Sequence, residues 1–391
     1  MPNAIPAVEL LEAFGVNIHM AYTNTAYENS AMVLALLKAL HVRHVRDGFF
    51  PWPAGHTQYD IHASLKALGI KAIACIPYSP TLEVGQLVEF ATLAGNIEAF
   101  EVTNEPDDQA NPSWAMQVRA MMPIVSAAAQ QLGIPVLAPA LVMTQSYQQL
   151  GDVSQWAKVA NAHAYFGGRN PECAAWGPSQ HFTMAFWKAQ GLLSVPNATG
   201  SIITESGNQV TPKPTAQYTL PPGPAAVYAI RTVLEAFYQG FERCYLYELL
   251  DNSGTDYGLC NAAFQAKLSY TAVRHFLEVI ADSSTAAKYG PGFLDYTAPN
   301  GYHSLLLQKH DGSFWIVAWP TEPCYDEVGL KLTPFQTVNL GFSIQTPGYA
   351  IAQADSIGQN ANIDQHVYPN LLSVSWIADV GAVLIVKVVR N

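Results

Sequence analysis

Two glutamates one hundred positions apart have the residue type and the setting that acid–base or nucleophilic chemistry needs. Glu105 lies in Phe100-Glu101-Val102-Thr103-Asn104-Glu105-Pro106-Asp107, and Glu205 in Ser201-Ile202-Ile203-Thr204-Glu205-Ser206-Gly207. Each closes a short apolar run of strand character and is followed at once by turn residues. A carboxylate placed where a strand stops can face a cleft without being buried in the core. Two carboxyl groups meeting at one cleft can divide the cleavage of a sugar acetal. One protonates the departing oxygen, and the other attacks the anomeric carbon or activates water.

The elements that must bring the pair together repeat along the chain. A run of about five apolar or β-branched residues, a polar loop and an amphipathic helical segment recur eight times. The strand-like runs are 15–20, 42–46, 71–76, 99–104, 135–138, 160–165, 201–205 and 243–250. The helical segments are 29–40, 61–68, 82–93, 114–132, a weaker one near 153–159, then 182–193, 225–238 and 270–281. Strands alternating with helices imply a parallel sheet, and eight units suggest closure into a (β/α)₈ TIM barrel, here residues 1–285. The structural alternative, an open doubly wound sheet, usually carries a glycine-rich turn after its first strand. Gly15-Val16-Asn17-Ile18-His19-Met20 is not one. From about residue 290 the texture changes to alternating runs (303–308, 314–319, 328–332, 383–389) separated by turn residues. This reads as a small all-β domain, a β-sandwich over 290–391, packed on the barrel as a structural module, with carbohydrate binding as the other reading. The proline clusters at 211–214 and 221–224 mark a long loop between strand seven and its helix.

In such a barrel the residues at the C-terminal ends of the strands share one mouth. Strand one contributes His19, strand two Arg46 and Asp47, and strand four Asn104 and Glu105. Strand six contributes His163 and Tyr165, strand seven Glu205, and strand eight Tyr247 and Glu248. Two of these carboxylates with an arginine, an amide, histidines and phenols suit glycoside hydrolysis, because neighbouring charges hold the two carboxyl pKa values apart. Each residue also has a plainer reading: Arg46 as the partner of Asp47, His163 and Tyr165 as core residues, Glu248 as a structural counter-ion. Trp52 is a candidate stacking platform, and the loop 167–172 a candidate wall of the cleft.

Composition narrows the classes. The chain has 391 residues, half of them hydrophobic and 13% charged, which is ample for a large core. A net charge of −11 argues against a nucleic-acid partner, which would require clustered Lys and Arg. The five cysteines are widely spaced with no CxxC pair, so neither a disulfide framework nor a structural zinc site is expected; Cys75 and Cys244 read as inert core residues. The histidines form no His-x-His or Glu-x-x-His cluster, so no metal or other cofactor is expected, although a metal-dependent barrel hydrolase or isomerase is a competing class. No apolar run approaches the roughly 20 residues of a membrane span. The first residues carry no signal-peptide pattern. A secreted or periplasmic location is the expectation, with a cytoplasmic one the alternative.

Asn104-Glu105-Pro106 ending strand four, with Glu205 ending strand seven, resembles clan A of the retaining glycoside hydrolases. The resemblance implies Glu105 as general acid/base and Glu205 as nucleophile. It matches Arg46 to the arginine that orients the nucleophile, and Asn104 to the asparagine that contacts the sugar 2-hydroxyl. His163-Ala164-Tyr165 matches the strand-six aromatic or histidine near the nucleophile. A barrel followed by a β-sandwich is also similar to the family thirty-nine xylosidases and iduronidases, and to some members of families five and thirty. By that resemblance the substrate is an oligo- or polysaccharide with β-linked glucosyl, xylosyl, mannosyl or galactosyl units. Clan members often end strand eight in a tryptophan that floors the sugar subsite, where this chain has Tyr245-Leu246-Tyr247-Glu248. The reading from another class is a non-catalytic carbohydrate-binding protein on a barrel scaffold.

Overall fold

Eight short strands rich in β-branched and small apolar residues form the centre of the molecule. They are β1 (Phe14–Asn17), β2 (His44–Gly48), β3 (Lys71–Ile76), β4 (Ile97–Val102), β5 (Val136–Leu137), β6 (Val159–His163), β7 (Gly200–Ser206) and β8 (Arg243–Leu246). All pair in parallel, and β8 closes on β1, giving a closed barrel in sequence order. The structure, a computed structural model, describes the chain except residues 1–2, 50–56, 109–110, 178–180, 215–217, 253, 255, 283–291 and 333–337. Trp52 lies outside the described residues.

The helices between strands are α1 (Ser30–Leu40), α2 (Thr57–Ala67), α3 (Val84–Ala94), α4 (Trp114–Leu132), α5 (Ser146–Leu150), α6 (Met184–Ser194), α7 (Pro222–Tyr238) and α8 (Leu268–Ile280). Inside the barrel, Ile73, Ala99, Leu137, Val159, Ile202 and Tyr245 make a separate apolar plug. Tyr245 explains Gly15 on the neighbouring strand, where a Cβ would stand 2.4 Å from the tyrosine ring. Polar side chains gather at both ends of the barrel. At the N-terminal rim His44 lies 2.6 Å from both Glu12 and Glu98 and Arg243 donates to Glu98 at 2.8 Å, and at the C-terminal strand ends lies a cavity.

Two local expectations fail. The helix expected near 153–159 is absent, and the helical turn of this unit lies earlier, at α5. Val153 and Ala157 are buried, but Asp152 Oδ1 accepts from the Ser154 amide at 2.8 Å and holds a turn that leads into β6. The proline cluster 221–224 is not all loop either, since α7 begins at Pro222. Proline suits the first helical turn, where its missing N–H would have had no partner.

The C-terminal region is all β. A six-stranded sheet runs, in spatial order, Ile5–Pro6, β9 (Tyr302–Gln308), β10 (Phe314–Pro320), β15 (Val383–Arg390), β12 (Tyr349–Ile357) and β13 (Ile363–Leu371). A smaller sheet holds Tyr296–Thr297, β11 (Val338–Ile344) and β14 (Ser373–Ala378). Along β10 the side chains of Phe314, Ile316 and Ala318 enter the core between the sheets, while Trp315, Val317 and Trp319 join the barrel's core. That is why its sequence is apolar throughout instead of alternating. The first residues of the chain also belong to this region, for Ile5–Pro6 pairs in parallel with β9.

Helix α7 is caught between barrel and sheet, and every residue from Pro224 to Ala236 is buried. Among them is Arg231. It donates through Nε and Nη2 to Glu172 at 2.9 and 2.5 Å, and through Nη2 to the carbonyls of Pro320 and Glu322 at 2.9 and 3.1 Å. Asn170 donates to the Thr321 carbonyl at 2.8 Å. The loop 167–172 therefore docks the β region onto the barrel and is not a wall of the cleft. Among the described residues no helix is long and apolar enough to cross a membrane.

Candidate active site

The strand ends converge on a cavity of about 630 Å³ at the C-terminal mouth of the barrel. Arg46 organises its floor. Its Nε and Nη2 grip the fully buried Glu101 at 2.5 and 3.0 Å, Nη1 donates to Glu205 Oε1 at 2.6 Å and to Asn17 Oδ1 at 3.0 Å, and Nη2 donates to Asn104 Oδ1 at 2.7 Å. A guanidinium has five N–H donors in one plane, so these contacts fix both neighbours in orientation as well as in charge. Arg46 makes no ion pair with Asp47. Asp47 Oδ1 instead accepts from the amides of Met20 and Gly48, at 3.0 and 2.9 Å, and shapes the loop after β1.

Glu205 is nearly buried and receives one donor on each oxygen, Arg46 on Oε1 and the Tyr165 hydroxyl on Oε2 at 2.9 Å. Glu105 is more open, with 26% of its side chain exposed, and its Oε1 lies 2.6 Å from His163 Nδ1. The same nitrogen is 3.6 Å from Glu205 Oε2, while Nε2 lies 3.1 Å from the Thr204 hydroxyl. One carboxylate oxygen from each of Glu105 and Glu205 and one ring nitrogen of His163 lie within 4.8 Å of one another.

The charges around His163 decide where a proton rests. Burial alone would lower its pKa, but the negative charge of Glu205 and the hydrogen bond to Glu105 outweigh it, and the net shift is upward. For Glu105 the balance is reversed. Burial would raise its pKa, and the hydrogen bond and charge of His163, helped by Arg46, hold it below the ordinary carboxylate value. In the unliganded site the shared proton therefore sits on the imidazole, with both ring nitrogens donating.

The backbone that delivers Glu105 is strained. Thr103 and Glu105 have φ of +38° and +40°, a region that side-chain-bearing residues avoid, at a cost of order 1–3 kcal/mol each. The Thr103 amide bonds to the Ile76 carbonyl at 2.9 Å, and Asp107 accepts from the amides of Val142 and Met143 at 3.0 and 2.8 Å. The loop is thus pinned on both sides while it turns Glu105 into the mouth.

All ten residues expected at the mouth from the sequence lie in this region, but not in equal roles. Arg46, Asp47, Asn104, Glu105, Glu205, His19 and Tyr247 line the cavity. His163 and Tyr165 stand behind the two glutamates. Glu248 is fully buried: its Oε2 accepts from the Tyr27 hydroxyl at 3.3 Å and lies 3.2 Å from His19 Nε2, so it reaches the cavity only through His19. Sequence reasoning missed Glu101, Asn17, Asn161 and Thr204. Asn161 Nδ2 donates to Glu101 Oε1 at 3.0 Å, and Asn17 Nδ2 to the Thr204 carbonyl at 3.0 Å. For Glu101 there was a signal, because an acidic residue inside an apolar strand needs a buried cationic partner, and Arg46 was the nearest candidate. Cys75, expected to be an inert core residue, lines the cavity with its sulfur 3.5 Å from Arg46 Nη2; burial pushes its thiol pKa well up, so it is no nucleophile. Among the described residues all five cysteines are free.

The whole-chain architecture recurs in solved structures. The chain aligns over 99% of its length with 98% of a monomeric beta-xylosidase from Caulobacter crescentus CB15, at 13% identity and a TM-score of 0.61. It aligns over 100% of its length with 96% of the GH39 enzyme from Xanthomonas axonopodis pv. citri, at 12% identity and a TM-score of 0.59. The chain has their fold. Barrel and β region both fall within that likeness, which agrees with the (β/α)₈ barrel plus β-sandwich read from the sequence. No family model matches the chain, and no curated protein matches it by sequence.

Proposed function

We propose that the protein is a retaining glycoside hydrolase that cleaves β-linked sugars by double displacement. The central support is the disposition of Glu105 and Glu205 at one cavity, both beside His163, with one carboxylate oxygen of each within 4.8 Å of one of the other. Retaining pairs stand about 5–5.5 Å apart, whereas inverting pairs keep about 6.5–9.5 Å to admit a water. The more open carboxyl beside a proton-bearing imidazole suits the acid, and the buried one held by an arginine and a phenol suits the nucleophile.

In the first step a Glu205 oxygen attacks the anomeric carbon. The bond to the leaving oxygen breaks, its electron pair goes to that oxygen, and Glu105 supplies the proton. Glu105 draws that proton from His163 Nδ1, 2.6 Å away. Ester formation removes the negative charge of Glu205, which had helped keep His163 protonated, so the imidazolium loses support as the leaving group needs the proton. In the second step Glu105 takes a proton from water, the hydroxide attacks the anomeric carbon, and Glu205 leaves as carboxylate. Arg46 and Tyr165 hold Glu205 in line throughout. Asn104 accepts from Arg46 through its oxygen and keeps its NH₂ end for the sugar 2-hydroxyl.

The pH profile tests the shared proton. Loss of that proton from the His163–Glu105 pair sets the basic limb of kcat/KM, and the raised pKa of His163 places the limb above the usual histidine range. With His163→Asn only Glu105 can hold the proton, and a carboxyl loses it at lower pH. The basic limb should move to lower pH, and an unmoved limb would remove His163 from the proton path.

Charge narrows the sugar. Among the described residues Arg46 is the sole Lys or Arg lining the cavity, and its donors already serve protein groups. Asp47, Glu105 and Glu205 line the same space. A sugar carboxylate would meet like charge without a counter-ion, at several kcal/mol. Aryl β-glucuronides should therefore be turned over at least about 100-fold more slowly than neutral aryl β-xylosides or β-glucosides. A screen of neutral aryl glycosides, followed by plant and microbial polysaccharides with the first anomer read by NMR, tests the function itself. Release of the β anomer is expected. The α anomer, or tight sugar binding without product, would overturn the assignment.

A further inference from the structure

The cavity extends well beyond the two glutamates. Past Glu105 it is walled by Tyr78 from the loop after β3 and by Asn111, Trp114 and Gln117 around the start of α4. Glu105 must protonate the leaving oxygen, so whatever is attached to that oxygen departs on the Glu105 side. These side chains have the chemistry of a sugar site. Tyr78 is 42% exposed and offers an apolar face for the C–H side of a pyranose, while Trp114, only 8% exposed, backs the wall from the core. Between them Asn111 Nδ2 donates to Gln117 Oε1 at 2.7 Å, while Asn111 Oδ1 accepts from the Ser113 amide at 3.0 Å. That pair fixes the Gln117 amide with its oxygen occupied. Among the described residues its NH₂ has no partner and remains for a ligand acceptor.

Resting on the glycosidase reading above, we propose that Tyr78, Asn111, Trp114 and Gln117 form a leaving-group subsite that holds a second sugar unit. The protein would then cut between two sugars and not release a small apolar aglycone. The aromatic wall alone would accept either. A fixed amide donor pointing at the ligand contributes only if the leaving group carries hydroxyls, since an apolar one would strip that donor of water without replacing it.

The test compares leaving groups on one glycone. A glycosyl fluoride has a one-atom leaving group that cannot reach the subsite, and a disaccharide of the same glycone fills it. Gln117→Ala should lower kcat/KM for the disaccharide about threefold to tenfold, the size of one lost hydrogen bond, and leave the fluoride within about twofold. Tyr78→Ala should lower the disaccharide value further and, with fluoride as donor, cut transfer to an added monosaccharide acceptor. Equal losses on both substrates, or no loss on the disaccharide, would overturn the subsite while leaving the hydrolase intact. Failure of the wild-type protein to turn over even the fluoride would overturn the hydrolase reading, and the subsite with it.

Discussion

Glu205→Gln should lower kcat by about 10⁴-fold or more, on activated and unactivated glycosides alike. Glutamine nearly preserves shape and its single oxygen can still accept from Arg46, but its NH₂ replaces the oxygen that accepted from Tyr165, and it has no anionic oxygen to attack the anomeric carbon. Because Arg46 Nη1 sits 2.6 Å from Oε1, the substitution also leaves a buried cation with one carboxylate fewer. Some loss of stability accompanies the lost activity, so thermal unfolding should be measured alongside to separate the two. A smaller side chain sharpens the test. With Glu205→Gly, azide fits the vacated space and should attack an activated β-glycoside from that face, yielding the α-glycosyl azide. Activity within tenfold of wild type in both variants would remove Glu205 from the chemistry.

Glu105→Ala is expected to divide substrates by leaving group. General acid catalysis contributes about 10²–10⁴-fold, and only a poor leaving group needs all of it. Disaccharides should lose that factor in kcat/KM, while aryl glycosides with acidic phenols should lose little in the first step. The second step suffers for every substrate, because no base remains to activate water. Activated glycosides should therefore show a burst of phenol followed by slow turnover. Azide, which needs no base, should restore turnover and give the β-glycosyl azide. Uniform loss across leaving groups, with no azide effect, would deny Glu105 the acid/base role. The two variants thus predict azide products of opposite anomeric configuration, a contrast that misfolding would not produce.

Much of this arrangement could be read in one dimension. The eight barrel units were legible because each strand-like run is short, apolar and separated from a periodic helix by a polar loop, and Lys71–Ile76 and Trp114–Leu132 fall where the pattern placed them. The two glutamates were legible because a strand end followed by Pro or Gly is a local feature. Where local signals mislead, the reason is tertiary. Helix α7 was legible as a helix over 225–238, but not its burial on all sides, which arises because the β region covers the face that would otherwise meet solvent. The loop 167–172 is polar and glycine-rich, which suggested a wall of the cleft. Its Glu172 is instead fully buried against Arg231, an arrangement that depends on a partner 59 positions away.

The sequence by itself determined the repeating strand–helix unit, the all-β end of the chain and the two acidic positions, since periodicity and turn chemistry act over a few residues. Only the tertiary structure decided which side chains become one electrostatic unit. Asn17, Asn161 and Thr204 show nothing in their own neighbourhoods that ties them to Arg46, Glu101 shows only that it needs some buried cation, and Glu248 gives no hint that it is sealed behind His19. Closing the barrel brings strands distant in sequence to within hydrogen-bond reach. At those distances and that degree of burial, the partners fix where the proton rests: on His163, with Glu105 beside it and Glu205 held by Arg46.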